Sequence, residues 1–197
     1  MMQGIGKRAK KKLETRQIIA ETALDLIVRQ GLNETSIAEI MGKAGLGTGT
    51  FYNYFDSKEE VLKCCLAERI DMASQACEDI QSSDLSPTEK LIQILQVVGN
   101  TYDKNRQLVE LYLRYYHSSD LDGKEPPHGR RFVEVLAKII AEGQKKGEFR
   151  KDIPCEIIVE MFTAILKITM SSGIKLTFIE NINFKRSILL DGIVERS

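Results

Sequence analysis

Side chains able to form hydrogen bonds crowd into one short stretch of this 197-residue chain, residues 48–58. Groups of these types can donate to phosphates or contact base edges, and none of them is a nucleophile paired with a base. No metal-ligand spacing or cofactor motif occurs elsewhere, so we expect no cofactor, no metal and no catalytic residue. The residues concerned are Thr48, Thr50, Tyr52, Asn53, Tyr54 and Lys58, and Gly49 among them allows close approach to the backbone.

The glycines of residues 45–50, GLGTGT, also suggest a phosphate-binding loop. Such a loop follows a strand and reads GxGxxG or GxxxxGK[ST], because its backbone must cradle a nucleotide at a helix start. Here the preceding residues have a helical pattern and the lysine is missing. We therefore disfavour a nucleotide site.

Two short helices that meet at a turn must position these groups. Ser36 and Glu39 have capping-box spacing, which predicts a helix from about Ile37, and Gly45 can end it with a positive φ. A second helix is predicted from about Thr48 to Tyr54, with Phe51 and Phe55 inward. This is the layout of a helix-turn-helix.

Longer helices are predicted on both sides. Residues 13–30 show a buried stripe and end at Gly31, and they cover the two short helices. Ser57 and Glu60 start another helix, which continues to about Ile80. Lys58 in its first turn is electrostatically misplaced at a positive helix end. A phosphate shared by the amine and the helix N-terminus would explain the placement, although solvent exposure alone would also tolerate it.

Residues 12–72 closely resemble the DNA-binding domain of the TetR family of bacterial transcriptional repressors. Gly47 and Thr48 depart from the family pattern, where a serine and a basic residue are usual. The matching residues are Thr35, Ser36, Ile40, Ala44-Gly45-Leu46, Gly49-Thr50-Phe51-Tyr52, Tyr54-Phe55 and Lys58.

The resemblance implies that these side chains contact a double-stranded DNA operator, although they could also be only the solvated face of a structural helix pair. Their chemistry suggests phosphate contacts for Thr48, Tyr52 and Lys58 and close approach at Gly49. Thr50, Asn53 and Tyr54 are expected to contact base edges. Thr35 and Ser36 complete the expected DNA-binding set.

The formal net charge is zero, but the basic side chains are unevenly placed. Residues 1–16 hold six basic side chains and one acidic one, a net of +5. Residues 1–12 lack hydrophobic periodicity, so we expect a basic arm without regular structure that tracks DNA phosphates or enters the minor groove.

The remaining pattern predicts an all-α fold of about nine helices and no strand. We expect a helix-turn-helix domain at residues 13–60, with its motif at about 35–54, and a larger helical domain at residues 61–197. Further helices are predicted at about 87–103, 105–118, 130–146, 154–173 and 183–195.

The helices at 154–173 and 183–195 carry more apolar surface than one subunit can cover. Two such helices from each of two subunits could form a four-helix bundle across a two-fold axis, and the family resemblance also implies a homodimer. The expected interface residues are Ile158, Ile165, Phe184, Ile188 and Ile193.

The larger domain is expected to bind an unidentified small-molecule effector that releases the operator. Aromatic and methionine side chains at helical spacing more often fill a core than line a pocket. With that alternative open, the candidate pocket residues are Tyr112, Tyr115, Tyr116, Met161, Phe162 and Thr169.

No secretory signal and no apolar run of 18 residues occurs, so we expect a cytoplasmic protein without membrane contact. The four cysteines form no disulfide pattern, and a sensor role for Cys64 and Cys65 is disfavoured. His117 and His128 lack metal-ligand spacing. The favoured function is a dimeric, ligand-responsive regulator, foremost a repressor; the alternatives are an all-helical enzyme and an effector-independent DNA-binding protein.

Overall fold

The computed structural model describes residues 6–116 and 127–194, with side chains at 6–111 and 130–194. These residues form seven α-helices and one 3-10 helix, which confirms the all-α prediction. Their one β feature is an isolated antiparallel bridge between Phe149 and Val194. In chain order the helices are α1 (Lys7–Gln30), α2 (Ile37–Lys43), the 3-10 helix (Thr48–Asn53), α3 (Lys58–Gln81), α4 (Pro87–Tyr116), α5 (Pro127–Lys146), α6 (Cys155–Met170) and α7 (Phe178–Ile193).

The predicted basic arm is helical from residue 7, because α1 begins at Lys7 and not at Leu13. Lysine and arginine have high helix propensity, and this part of α1 is exposed and needs no apolar face. Hydrophobic periodicity therefore could not reveal it. Residues 1–5 of the predicted arm lie outside the described residues.

The helices predicted at 87–103 and 105–118 form one helix, α4, which is kinked at Asn105. Asn105 has φ −116° and ψ 17°, outside the helical range, and its side-chain amide donates to the Thr101 carbonyl at 2.8 Å. The sequence thus located the interruption correctly, but the chain bends there and continues. This merger accounts for eight helices in the described residues against nine expected.

The last helix starts at Phe178, five residues before the predicted start at Asn183. Thr177 and Glu180 form a complete capping box: the Glu180 backbone N–H donates to Thr177 Oγ1 at 3.2 Å, and Glu180 Oε2 accepts from the Thr177 backbone N–H at 2.9 Å. The T-x-x-E spacing was present in the sequence and would have given the correct start.

The chain divides into two compact units, whereas the sequence pattern placed the boundary after residue 60. Of the described residues, the N-terminal unit comprises 6–68 and 107–116, and the C-terminal unit comprises 69–106 and 127–194. The core of the N-terminal unit is built from side chains of α1, α2, the 3-10 helix, the start of α3 and the loops between them: Ile19, Ala23, Leu26, Ile27, Leu32, Ile40, Met41, Phe51, Phe55, Val61 and Leu62.

In the C-terminal unit, the start of α7 packs against α4. Asp103 accepts hydrogen bonds from the first two backbone N–H groups of α7, at Phe178 (3.0 Å) and Ile179 (3.1 Å). The Tyr102 ring packs on Phe178 with centroids 4.4 Å apart. A Cβ at Gly99 would lie 2.6 Å from Ile179 Cδ1, the end of that side chain, so a larger residue there would require Ile179 to shift.

Candidate DNA-binding surface

The first helix of the motif begins and ends as its local sequence predicts. Ser36 is the N-cap of α2, and its Oγ accepts from the Glu39 backbone N–H at 3.1 Å. Gly45 takes φ 70° in the turn after α2, a conformation that suits glycine. The capping box is only half formed, because the Glu39 carboxylate accepts from the Gln30 amide at 2.9 Å.

The second helix is a six-residue 3-10 helix, and the α-helix expected from Thr48 to Tyr54 is not formed. Its N-cap, Gly47, has no side chain to satisfy the first backbone N–H groups. Phe51 and Phe55 are buried, as expected, with ring centroids 5.9 Å apart. Two buried phenylalanines thus anchor the helix and fix which residues face outward.

The predicted contact residues on this helix are exposed or half-buried. The Tyr52 side chain is 61% exposed and its ring meets Phe51 edge-on at 5.6 Å, so the ring is held while the hydroxyl faces solvent. Thr48, Gly49 and Asn53 are exposed, while Thr50 and Tyr54 are half-buried. The helix therefore presents a short polar surface.

Gly49 is not required by the packing of the protein itself. A Cβ built there meets no protein atom within 4 Å, and the residue does not have a positive φ. A glycine with no internal reason is consistent with an external partner that approaches the backbone closely.

Two other predicted contacts are engaged inside the protein. Thr35 is 1% exposed, and its hydroxyl donates to the Gly31 carbonyl at 2.7 Å. The Lys58 ammonium donates to the carbonyls of Leu32 (2.5 Å), Thr35 (2.8 Å) and Asn33 (3.3 Å). An ammonium has three donors, so in this structure Lys58 has none left for a phosphate.

The basic start of α1 is the largest group of cations in the N-terminal unit. Its side chains at 7–12 are exposed, and Lys10 pairs weakly with Glu14 at 4.0 Å. On α2, Lys43 donates to Asp25 at 2.7 Å, and this hydrogen bond holds the pKa of Asp25 below its usual range. The charge of Lys43 is therefore partly neutralised within the protein.

Three of the six residues predicted for the effector pocket have described side chains, and their surroundings differ. The side chains of Tyr112, Tyr115 and Tyr116 lie outside the described residues. Met161 is 46% exposed, whereas Phe162 is fully buried. Thr169 is also buried; its hydroxyl donates to the Ile165 carbonyl at 2.6 Å and accepts from Lys185 at 3.0 Å.

The predicted dimer residues divide between the core and the surface. Ile158 and Ile193 are buried within the subunit, which leaves them unavailable to a partner. Phe184 and Ile188 are 67% and 76% exposed, while Ile165 is half-buried. The exposed apolar side chains of α6 include Ile157, Met161 and Ile168, which the sequence had not placed at the interface.

A shallow apolar groove of about 400 Å³ runs between α6 and α7. Its walls include Ile157 and Met161 on α6 and Ile188 on α7, and Lys185 is its one charged lining residue. The groove is therefore continuous with the exposed apolar side chains of both helices.

Burial makes two of the four described cysteines poor redox sensors. Cys65 and Cys77 are buried and Cys64 is half-buried. Desolvation raises the pKa of the Cys77 thiol to about 11. Among the described residues, no cluster of three His, Cys, Asp or Glu side chains could hold a metal ion.

None of the helices in the described ranges is long and apolar enough to cross a membrane.

Residues 19–65 match the model of the bacterial regulatory proteins of the tetR family. The HTH-type transcriptional regulator SrpR of Pseudomonas putida is 22% identical over 169 residues, which cover 86% of this chain and 79% of SrpR. A TetR-family transcriptional regulator from Syntrophomonas wolfei has a crystal structure that aligns with a TM-score of 0.69 and 29% identity, over 90% of this chain and 94% of that one.

The fold is also that of the transcriptional regulator FadR from Bacillus subtilis, whose structure contains stearoyl-CoA. The TM-score is 0.65 at 19% identity, over 90% of this chain and 98% of FadR. These similar proteins are transcription regulators and not enzymes.

Proposed function

Because the chain belongs to the TetR family of bacterial regulatory proteins, and is thus a transcriptional regulator and not an enzyme, we propose that it acts as a ligand-responsive homodimer, foremost as a repressor. The dimer binds a pseudo-palindromic DNA operator through its two helix-turn-helix motifs. A small-molecule effector in the C-terminal unit releases it.

The observation that carries this proposal is the outward polar surface of the 3-10 helix. Phe51 and Phe55 anchor the helix from within, and Tyr52 and Asn53 therefore face a partner. Six residues at about 2 Å rise per residue span roughly 12 Å, comparable with the width of the DNA major groove. Asn53 can pair with adenine and Tyr52 can donate to a phosphate.

The hydrogen bonds that Lys58 and Thr35 make within the protein remove these two residues from the proposed set of DNA contacts. We retain Ser36, Thr48, Gly49, Thr50, Tyr52, Asn53 and Tyr54 as DNA contacts. Lys58 and Thr35 instead support the motif from within, through their hydrogen bonds to the carbonyls of the loop between α1 and α2 and the end of α1.

A dimer is needed because one helix-turn-helix makes too few base contacts to be selective, whereas the two motifs of a dimer contact two half-sites at a fixed spacing. The exposed apolar side chains of α6 and α7 support a four-helix bundle between subunits. We propose as its interface Ile157, Met161, Ile165, Ile168, Phe184 and Ile188.

Release of the operator follows from a population shift. The effector must bind more tightly to the conformation whose two DNA-binding domains no longer fit the half-sites. The effect of the effector on DNA affinity cannot exceed its difference in affinity for the two conformations. Helix α3 is the proposed transmitter, because residues of both units belong to this one continuous helix.

The proposal is tested by fluorescence anisotropy with DNA from immediately upstream of the protein's own gene, titrated with salt and with unrelated competitor DNA. We expect tight binding that survives the competitor and is lost in the Asn53→Ala, Tyr52→Phe double variant. The matched control is Asn33→Ala with Tyr102→Phe, which carries the same substitutions outside the 3-10 helix. Binding that the competitor removes fully, or that is equal in both double variants, would contradict operator recognition by this surface.

A further inference from the structure

Arg16 is a cation of α1 whose charge is engaged inside the N-terminal unit. Its guanidinium carbon, Cζ, lies 4.6 Å from the centroid of the Phe55 ring, and its Nη1 donates to Glu68 Oε1 at 3.3 Å. The side chains at 7–12 of the same helix are exposed, whereas Arg16 is half-buried. Arg16 therefore joins α1 to the loop after the 3-10 helix and to α3, three elements of one unit.

The ion pair of Arg16 with Glu68 extends the packing of α1 against α3. On the buried part of this contact, Cys65 Sγ of α3 lies 4.0 Å from the Ala20 carbonyl oxygen of α1. Arg16 is four residues before Ala20, and Glu68 is three residues after Cys65, so each charged residue shares a helix face with its buried neighbour. The ion pair therefore continues the contact of the two helices beyond the core.

The contact of Arg16 with Phe55 reaches the 3-10 helix. A guanidinium within about 6 Å of an aromatic centroid is attracted to the face of the ring. The Phe55 ring lies 5.9 Å from that of Phe51, and the Phe55 backbone N–H donates to the Phe51 carbonyl at 3.1 Å. Phe51 in turn meets the Tyr52 ring edge-on. Contacts thus run from Glu68 through Arg16 and the two phenylalanines to a residue of the proposed DNA-binding surface.

Two possible roles of Arg16 predict opposite effects of Glu68 on DNA binding. If Arg16 neutralised a phosphate, Glu68 would compete with that phosphate, and its removal would strengthen binding. If Arg16 instead holds the Phe55 ring, removal of Glu68 releases the guanidinium and weakens binding. The second role fits the geometry, because the guanidinium lies over a ring that is 2% exposed and anchors the 3-10 helix.

We propose that Arg16 is a positioning residue for operator recognition, which together with Glu68 fixes the Phe55 ring and thereby the orientation of the 3-10 helix. This inference rests on the proposed binding of an operator by that helix. Base contacts depend on exact placement of the side chains, whereas unrelated DNA is bound through phosphates and tolerates small shifts. Loss of the Arg16 contacts should therefore weaken operator binding more than binding of unrelated DNA.

The test uses the full-length protein as wild type, Arg16→Met, Glu68→Gln and the double variant. The matched control is Glu21→Gln. Glu21 is an exposed carboxylate on α1 that accepts from the Gln17 amide at 2.8 Å, so this variant removes the same charge elsewhere in the unit.

The first measurement is hydrogen exchange without DNA, followed at the Tyr54 and Phe55 amides, which donate to the Phe51 carbonyl. Arg16→Met and Glu68→Gln should exchange there roughly two to five times faster than wild type, and the control should not. The amides of α7 should exchange at the wild-type rate in every variant. Unchanged exchange at both motif amides, or equal acceleration at α7, would overturn the inference.

The second measurement is anisotropy with operator and with unrelated DNA across a salt series. Because Glu68 is 55% exposed, Glu68→Gln should weaken operator binding by a modest factor, roughly two to five, although it removes a negative charge. Its affinity for unrelated DNA should not fall, and the slope of log affinity against log salt should match that of wild type. The same change should have a smaller effect when Arg16 is already methionine.

Stronger operator binding by Glu68→Gln, or equal effects of this change with and without Arg16, would refute the positioning role. A salt slope flattened by about one unit in Arg16→Met would identify Arg16 as a phosphate contact instead. If wild type itself showed no preference for the operator, the proposed function would fail. The exchange measurement would still decide whether Arg16 holds the 3-10 helix, so the two failures are distinguishable.

Discussion

At the scale of single residues, Lys58 illustrates how a cation can occupy the wrong end of a helix. The N-terminus of α3 is electropositive and disfavours an ammonium. The Lys58 side chain resolves this conflict by reaching back to the loop between α1 and α2, where three backbone carbonyls accept its protons. It thereby satisfies carbonyls that no helix pairs, and it ties α3 to the motif.

Replacing this ammonium should therefore affect stability and not the salt dependence of DNA binding. We expect Lys58→Met to lower the free energy of unfolding by about 1–3 kcal/mol, because three carbonyls lose a charged donor. The slope of log affinity against log salt should stay unchanged, since the Lys58 ammonium does not reach a phosphate. Urea unfolding and anisotropy salt titrations measure both quantities.

The control for this variant is Lys104→Met, which removes an exposed ammonium. It should change neither stability nor slope. A slope flattened by about one unit in Lys58→Met, with stability retained, would restore Lys58 as a phosphate contact.

Gly49 gives a second test at residue scale. A methyl group there meets no protein atom within 4 Å, so Gly49→Ala should leave the free energy of unfolding within about 1 kcal/mol of wild type. Operator affinity should fall by roughly tenfold or more, because the methyl would collide with a closely approaching DNA backbone. Gly42→Ala on α2, which also has open space at its Cβ, is the matched control for anisotropy. Equal affinities of the two variants would argue against close approach at Gly49.

Local signals in the sequence could predict most of the motif but not its long-range hydrogen bonds. The Ser36 cap, the turn at Gly45 and the burial of Phe51 follow from spacings within five residues. The bonds of Lys58 join positions 23 to 26 residues apart, and no periodicity encodes them.

At the scale of elements, the helical start of α1 should bind DNA at a lower entropy cost than the unstructured arm that the sequence predicted. A helix holds its lysines at set positions and loses less conformational entropy on binding than an unstructured segment. The sequence pattern missed this helix because exposed charged residues form helices by propensity and not by an apolar stripe.

Neutralising these cations should weaken DNA binding in a salt-dependent way. We expect the triple variant Lys10→Gln, Lys11→Gln, Lys12→Gln to flatten the salt slope by about 0.9 for each phosphate that the variant no longer neutralises. The control replaces three exposed lysines of the C-terminal unit, Lys151, Lys167 and Lys175, with glutamine. Anisotropy across a salt series compares the two variants, which have the same net charge. Identical slopes would exclude the start of α1 from the DNA interface.

The pairing of α4 with α5 predicts a pH dependence of stability. Hydrogen bonds from Lys146 and Lys90 hold the pKa of Glu142 below its ordinary value of 4.5. A lowered folded-state pKa stabilises the protein above the unfolded-state value, and this contribution is lost as pH falls through the folded-state pKa. Glu142→Gln should therefore be less stable than wild type at pH 7, and the difference should shrink below about pH 4.5.

Urea unfolding at pH 3 to 7 measures this difference. Glu134→Gln is the control, because Glu134 is 62% exposed and pairs only loosely with Arg130, at 3.6 Å. It should show little change at any pH. A wild-type stability advantage over Glu142→Gln that grows toward acid would have the wrong sign and would contradict the assigned pairing.

At the scale of the whole molecule, the exposed apolar surface of α6 and α7 is the basis of the proposed dimer. The sequence showed that these helices are too apolar for one subunit, but it could not identify the buried face. Ile157 and Ile158 are adjacent and equally apolar, and only tertiary packing buries the second and leaves the first 49% exposed. The dimer stays a prediction, and the residues proposed for its interface are now those of the exposed face.

Ile188, 76% exposed at the centre of this surface, offers the most direct test. A charge at a dimer interface must be desolvated without a partner, whereas on a free surface it remains hydrated. Ile188→Glu should therefore halve the mass measured by sedimentation. It should also reduce affinity for the full operator far more than affinity for a single half-site, because a monomer contacts only one half-site. Met72→Glu makes the same kind of change on α3, at a side chain 74% exposed, and should alter neither quantity. If Ile188→Glu retained the dimer mass, two-fold recognition would have to depend on another surface, and the proposed four-helix bundle would be wrong.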